Sequence, residues 1–389
     1  MKRVYFDNAA TTAIRQEVID AMTEVLSNHY GNPSSIHASG RSSRALIEQS
    51  RKTVANLIGA SIGEIFFTSG GTESNNMALK CAVRDLGVQR IISCRTEHHC
   101  ILHTLDSLEK SHSINVVYLD NDEKGCIEDA QLEALLADSN EKTLVSLMHS
   151  NNEIGTMIDL EALAVLCEKH GAYLHTDTVQ TIGHYPIDVS KTRISFLSGS
   201  AHKFHGPKGI GFIYINGDNI IQPMIDGGSQ ERNMRGGTEN IYGIVGLAKA
   251  LEHSCAEMEE NRQHISALRS YLIEKLEEHF EDIRFNGDYQ GRFHYKVLNV
   301  SFPPSPKSDL LLLNLDIHGI SASGGSACSS GAEAGSHVLS AIGIEEDRKS
   351  IRFSFAHTNT KEDIDYLIEQ LRKIIPVREV VTDRVTARQ

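Results

Sequence analysis

Residues able to do chemistry gather just after short apolar runs in this chain. EIFF is followed by TSGGTESNNMALK, in which two glycines precede Thr72 and Glu73 at the start of a helical pattern. Backbone N–H groups at such a start, with the Ser69 and Thr72 hydroxyls, suit a phosphate; an ordinary capped turn has the same composition. The pattern is neither a Walker A loop nor GxGxxG, which argues against ATP and dinucleotides. Asp177 follows AYLH, with Gln180 three residues on. His202 and Lys203 follow ISFLSGS, between Ser200 and the glycines of FHGPKGIG. Each has an everyday reading, as a turn carboxylate, a structural imidazole and a solvated loop lysine. A lysine in a tight, glycine-bounded loop can instead be desolvated, which suits it to bond covalently to a carbonyl. Lysine, acid and phosphate cup are together what pyridoxal phosphate needs.

Three further groups bear on the same question. His98, after RIISCR, could lie flat on an aromatic cofactor and exchange protons there, or simply pack. Its neighbours His99, Cys100 and His103 also permit a zinc reading, which is weakened by the absence of a second ligand set at the usual spacing. Cys328 differs from the other six cysteines because SASGGSACSSGA around it is small and conformationally permissive. A thiol there can act as a nucleophile once ionised, or be incidental to a Ser/Gly linker. Arg352, in IRFSF, suits a bidentate grip on a carboxylate or a place at a domain boundary.

These residues need a scaffold, and the sequence describes one. Between residues 64 and 223, β-branched or aromatic runs alternate with helical patterns: EIFFTS, RIISCR, NVVYLD, TLVSLMHS, AYLHTD, ISFLSGS and GFIYIN. Such alternation predicts a mostly parallel sheet with helices on both faces, and a ligand site beyond the carboxyl ends of the strands. Residues 241–280 read as one long helix or two in series that bridge two domains. KVLNVSF, a helix from Lys307, IRFSF and a last helix from Lys361 predict a smaller α+β unit.

Composition narrows the partners. With 389 residues, two to three domains are expected. The net charge of −13 argues against broad binding to nucleic acid or anionic membrane, and no apolar run reaches membrane-spanning length. The N-terminus lacks a signal or transit pattern, and seven scattered cysteines form no CxxC pair, so a cytoplasmic location is expected.

The order and spacing of ten motifs complete the reading: YFDNAATT, GNPSSIH, TSGGTESNN, TEH, NNEIG, HTDTVQ, SGSAHKFHGPKG, MRGGTEN, SGGSACSSG and IRFSF. Together they resemble the cysteine desulfurases of the class V aminotransferase group, in particular the longer-loop subgroup that serves iron–sulfur cluster assembly and nitrogenase maturation. The resemblance implies a fold-type I pyridoxal phosphate transferase of the α/β class. It would have a large domain with a mostly parallel seven-stranded sheet (15–255), and a smaller α+β domain (1–14 and 256–389) carrying a cysteine loop at 321–336. It implies Lys203 as the covalent cofactor lysine, Asp177 at the ring nitrogen, Gln180 at the ring hydroxyl and His98 stacked on the ring. Gly71, Thr72, Ser200 and His202 would hold the phosphate, with Asn152 beside the cofactor. Thr238 would reach the phosphate of a neighbouring subunit in a homodimer. Arg352, helped by Asn152, would hold the carboxylate of L-cysteine, and Cys328 would take its sulfur as a persulfide, releasing alanine. The acceptor would be an iron–sulfur scaffold protein or another sulfur acceptor. A selenocysteine lyase or another C–S lyase of the same fold is the alternative. Thr176 and Thr178 flank Asp177 where the family has small apolar residues, which predicts different hydrogen bonding there. The chain ends soon after its last helix, so docking of a scaffold is less secure than the desulfurase half-reaction.

Overall fold

The computed structural model describes residues 2–305, 308–324, 335–345 and 347–377. Strand β1 (Val4–Tyr5) and helices α1 (Gln16–Asn28) and α2 (Ala38–Ile58) come first. The seven predicted runs then form β2 (Ile65–Thr68), β3 (Arg90–Cys94), β4 (Asn115–Leu119), β5 (Thr143–Ser146), β6 (Tyr173–Asp177), β7 (Phe196–Ser200) and β8 (Gly211–Ile215). They pair in one sheet in the order β2-β8-β7-β6-β5-β3-β4. Only β8 runs against its neighbours, pairing antiparallel with both β2 and β7. Helices α3 (Gly71–Leu86), α4 (His99–His112), α5 (Asp129–Ala137) and α6 (Leu160–Lys169) connect the strands.

Side chains two apart on a strand share a face, so each strand feeds two cores. Ile65, Phe67, Ile92, Val145, Leu174 and Leu197 pack with α1, α2 and α6 on one side. Phe66, Ile91, Leu144 and Phe196 pack with α3 and α4 on the other. This double burial explains why the strands are apolar along their whole length rather than alternating.

The 241–280 segment is two helices in series, α7 (Ile241–Ala256) and α8 (Met258–His279), meeting at Glu257. Ile244, Leu247 and Leu251 of α7 join the first core, whereas Ile265, Leu268, Leu272 and Leu276 of α8 join a separate one. That separate core is built on β9 (Arg284–Asn286), β10 (Val297–Phe302) and β12 (Lys349–Ser354), an antiparallel set in the order β12-β10-β9. The short β11 (Ile320–Ser321) pairs with β1, which brings Val4 and Phe6 into the same core. Helices α9 (Leu311–Ile317), α10 (His337–Ala341) and α11 (Lys361–Ile374) complete the described chain. The helix expected from Lys307 is shorter at its start: a 3-10 turn over Ser308–Leu310 leads into α9, and Lys307 itself lies outside the described residues. Among those residues, no helix is long and apolar enough to cross a membrane.

Candidate active site

Carboxyl ends of parallel strands converge on a cavity of about 250 Å³. Lining it are Gly71, Thr72, His98, Asn152, Asp177, Gln180, Ser200, His202, Lys203 and Arg352, all singled out above from sequence. A neighbouring cavity of about 490 Å³ has Glu97, Cys126, Asp159 and Asp288 in its wall but none of Lys203, Asp177 and the glycine-led start of α3. We therefore place the site in the smaller one.

Local structure explains each placement. α3 starts at Gly71, so the N–H groups of its first turn have no intrahelical acceptor and are available to an anion. Gly70 has φ +153°, and a Cβ on Gly71 would come within 2.6 Å of Val179 Cγ2, so the cup requires both glycines. Asp177 ends β6, and its carboxylate accepts from Asn75 Nδ2 at 2.7 Å and Val179 N at 2.9 Å. Ser200 ends β7, and a 3-10 turn over Ala201–Lys203 carries the lysine. Lys203 Nζ donates to the main-chain oxygens of Ala9 (2.7 Å) and Ala10 (2.9 Å). His202 Nδ1 lies 3.2 Å from Thr11 Oγ1, and burial, with Lys203 nearby, pushes its pKa down to about 4.

His98 caps α4, its Nδ1 accepting from Cys100 N at 3.1 Å. Burial lowers its pKa; Asp177 opposes that and Lys203 reinforces it. A neutral ring with Nδ1 already accepting carries its proton on Nε2. Arg352 is 1% exposed. It donates to Asp7 Oδ1 at 2.7 Å and to the Asn152 main-chain oxygen at 2.8 Å, while Nε has no partner.

The cofactor implied by the motifs fits this lining. Gln180 donates through Nε2 to the oxygen of Ala9, yet its Oε1 is buried without a partner beside the cavity. A ring hydroxyl would satisfy that atom, as a phosphate would satisfy the start of α3. One expected residue is not in the cavity. Thr238 lines a separate pocket of about 80 Å³ with Thr68, Ser69 and Arg235. Cys328 lies outside the described residues, as do most of the 321–336 loop and the C-terminal VTDRVTARQ.

Several contributors were not singled out from sequence. Asn75, 1% exposed, links Asp177 to His175, whose Nε2 lies 3.2 Å from Asn75 Oδ1 and whose Nδ1 lies 2.9 Å from Ser146 Oγ. Complete burial pushes His175 down to about 3, so it serves as a neutral link. Asn75 does share a helix face with Gly71 and Thr72 at i+4 and i+3, the one signal that could have found it. Glu97 is buried too, its pKa raised by burial, and its Oε1 accepts from the N–H of Met148 in the cavity wall. The flanking threonines are not spent on Asp177: Thr178 Oγ1 donates to the Ser198 oxygen and Thr176 Oγ1 has no partner. Among the described residues, no group of three or more His, Cys, Asp or Glu side chains is arranged to hold a metal ion.

Residues 4–367 match the family model of the class-V aminotransferases. The chain belongs to this family. It is 44% identical to the cysteine desulfurase IscS of Dictyoglomus turgidum over 96% of this chain and 95% of that one. Against the human cysteine desulfurase the identity is 39%, over 99% and 86%. Among solved structures, a NifS-like protein shares 36% identity with a TM-score of 0.88, covering 96% of this chain and 99% of that one. Another, SspA in complex with cysteine, shares 32% with a TM-score of 0.79, covering 92% and 100%. The class-V fold is thus the scaffold that the alternating strands and helices predicted, and its members are pyridoxal phosphate enzymes.

Proposed function

We propose that the protein is a pyridoxal-phosphate-dependent cysteine desulfurase, converting L-cysteine to L-alanine and passing the sulfur to Cys328. The observation that carries this reading is a single cavity joining Lys203, Asp177, His98, Arg352 and the start of α3. When bound, the cofactor accepts the electron pair left on the substrate carbon. Lys203 Nζ would hold the cofactor covalently between turnovers and, once displaced by substrate, move the substrate Cα proton. Asp177, oriented by Asn75 and Val179 N, would keep the ring nitrogen protonated. His98 would cover the ring, with Nε2 able to move the proton of the substrate thiol. Gly71, Thr72, Ser200 and His202 would hold the phosphate. Arg352, assisted by Asn152, would orient the substrate carboxylate, a pairing in which a planar guanidinium exceeds an ammonium.

In the transfer itself the Cys328 thiolate attacks the substrate sulfur. The C–S bond breaks as the S–S bond forms, the electron pair stays with carbon, and protonation there releases alanine. Cys328 retains one extra sulfur atom for an iron–sulfur scaffold or another acceptor. Names of the relatives favour this over selenocysteine lyase.

We also propose a homodimer in the cytoplasm, with residues 15–255 as the large domain and residues 1–14 and 256–389 as the small one. Thr238 lines a different pocket from its own Lys203, which supports its reaching across to a second subunit. Tyr30 and Ile36, beside and within GNPSSIH, are 87% and 91% exposed, large apolar surface for a partner to cover.

Mixing the purified holoenzyme with L-cysteine should yield alanine, and peptide mass spectrometry should map one added sulfur to Cys328. In Cys328→Ala the bound chromophore should persist while alanine formation is lost. Alanine release by that variant at the wild-type rate would remove the thiol from the reaction.

A further inference from the structure

Against the main chain of Lys203 lies a buried cluster of bases that takes no part in lining the cavity: His184, His294 and Lys296. Lys296 is 1% exposed and immediately precedes β10. Its Nζ is 3.1 Å from His184 Nε2 and 3.4 Å from the main-chain oxygen of Lys203. His184 Nε2 is itself 3.2 Å from that same oxygen. An amine and an imidazole from different parts of the chain therefore converge on one carbonyl.

The backbone around them is equally fixed. Lys296 N donates to His294 Nδ1 at 3.2 Å, and His294 Nε2 donates to the Gln180 oxygen at 2.7 Å. The Lys296 oxygen accepts from Phe355 N at 2.9 Å. On the His184 side, Nδ1 lies 3.2 Å from the Tyr295 hydroxyl. No carboxylate is among the partners of Lys296 in the described residues; the charges it feels are Lys203 and Arg352. Burial first, then these two cations, push it well below the usual lysine range. A neutral amine also resolves the 3.1 Å contact, since an ammonium facing an imidazole N–H would set donor against donor, whereas an amine offers a lone pair.

We propose that Lys296 is a positioning residue for Lys203: its amine, together with His184, fixes the Lys203 carbonyl and so aims the Lys203 side chain into the cavity. This rests on the reading of Lys203 as the cofactor lysine. The held carbonyl ends the 3-10 turn Ala201–Lys203, which Phe204 N closes onto the Ala201 oxygen, while the side chain of Lys203 is drawn to Ala9 and Ala10 at its far end. Lys203 is thus held at both ends. Packing alone does not account for a lysine here, because burying an amine without a counter-charge costs stability that methionine of similar volume would not.

The test compares full-length wild type, Lys296→Met and Lys296→Gln as apoproteins mixed with pyridoxal 5′-phosphate. Methionine removes the donor, and glutamine keeps an uncharged N–H. Two quantities are read: the rate at which a borohydride-reducible attachment forms at Lys203, mapped by peptide mass spectrometry, and the apoprotein melting temperature. Lys296→Met should slow attachment about tenfold, the effect of one lost hydrogen bond. Lys296→Gln should recover to within about threefold of wild type, and neither should melt earlier. Wild-type attachment by Lys296→Met overturns the proposal. So does equal slowing in both variants, or slowing that tracks a lower melting temperature. Absence of attachment at Lys203 in wild type overturns instead the reading beneath it.

Discussion

Replacing Asn75 by Leu probes the support of Asp177 directly. The change removes the Nδ2 donor 2.7 Å from Asp177 Oδ2 and leaves the His175 Nε2 only its longer contact to Ser198 Oγ at 3.5 Å. A hydrogen bond to a charged group contributes about 1.5–3 kcal/mol, and leaving a buried donor without a partner costs about 1–3 kcal/mol. Together these bound the loss at roughly 2.5–6 kcal/mol. His175→Leu strands Asn75 Oδ1 and Ser146 Oγ in turn, at about 2–6 kcal/mol. In the double variant neither side chain remains to strand the other, so the loss should fall short of the sum by about 1–2 kcal/mol. Urea unfolding of the apoproteins, extrapolated linearly to water, measures all three. Cofactor should also leave Asn75→Leu faster than wild type, because Asp177 is then held by Val179 N alone. Additivity within about 0.5 kcal/mol would refute a connected chain from Asp177 to Ser146, whatever the size of the single effects.

Other sites give separate tests. His98 is held below 6.5 by burial, with Lys203 adding to the effect, so in apo Lys203→Met its titration by histidine-selective NMR should move upward. An unmoved curve would mean the two are not electrically in contact. Lys296 is depressed in the fold, so below the unfolded value near 10.4 the unfolded chain binds more protons, and stability rises with pH up to that value. Lys296→Met should flatten this rise in urea unfolding between pH 7 and 10. Arg51, fully buried, pairs with buried Glu231 at 2.6 Å, and Glu231 Oε2 also accepts from Phe67 N at 2.8 Å. Arg51→Met leaves that carboxylate without its cation and should cost about 3–5 kcal/mol by the same assay, with Glu231→Gln in the same chain recovering part of it.

How much of this was readable beforehand follows from the range over which each constraint acts. Gly70 and Gly71 answer to their own φ and to one neighbour, Asp177 and Ser200 to the ends of their own strands, and Lys203 to a turn of three residues. Constraints so local leave a residue type at a fixed spacing, and these members of the cavity wall were therefore named from the motifs. Polar pairs made by the fold leave no such trace. His175 meets Ser146 because β5 and β6 pair in a register that sets those two side by side, and Asn75 meets Asp177 because α3 lies across β6 and β7. Residues 241–280 read equally as one helix or two in series for a related reason: α7 and α8 each keep an apolar stripe, and only the core that receives it changes. Lys296 is the extreme case, since a lysine before a strand reads as solvated. What overrides that reading is the packing of the second core against the first, which closes over the amine and leaves it a carbonyl and an imidazole as neighbours. A buried base without an acid therefore gives no local pattern, yet it marks where the fold gives up stability to hold one main-chain atom in place.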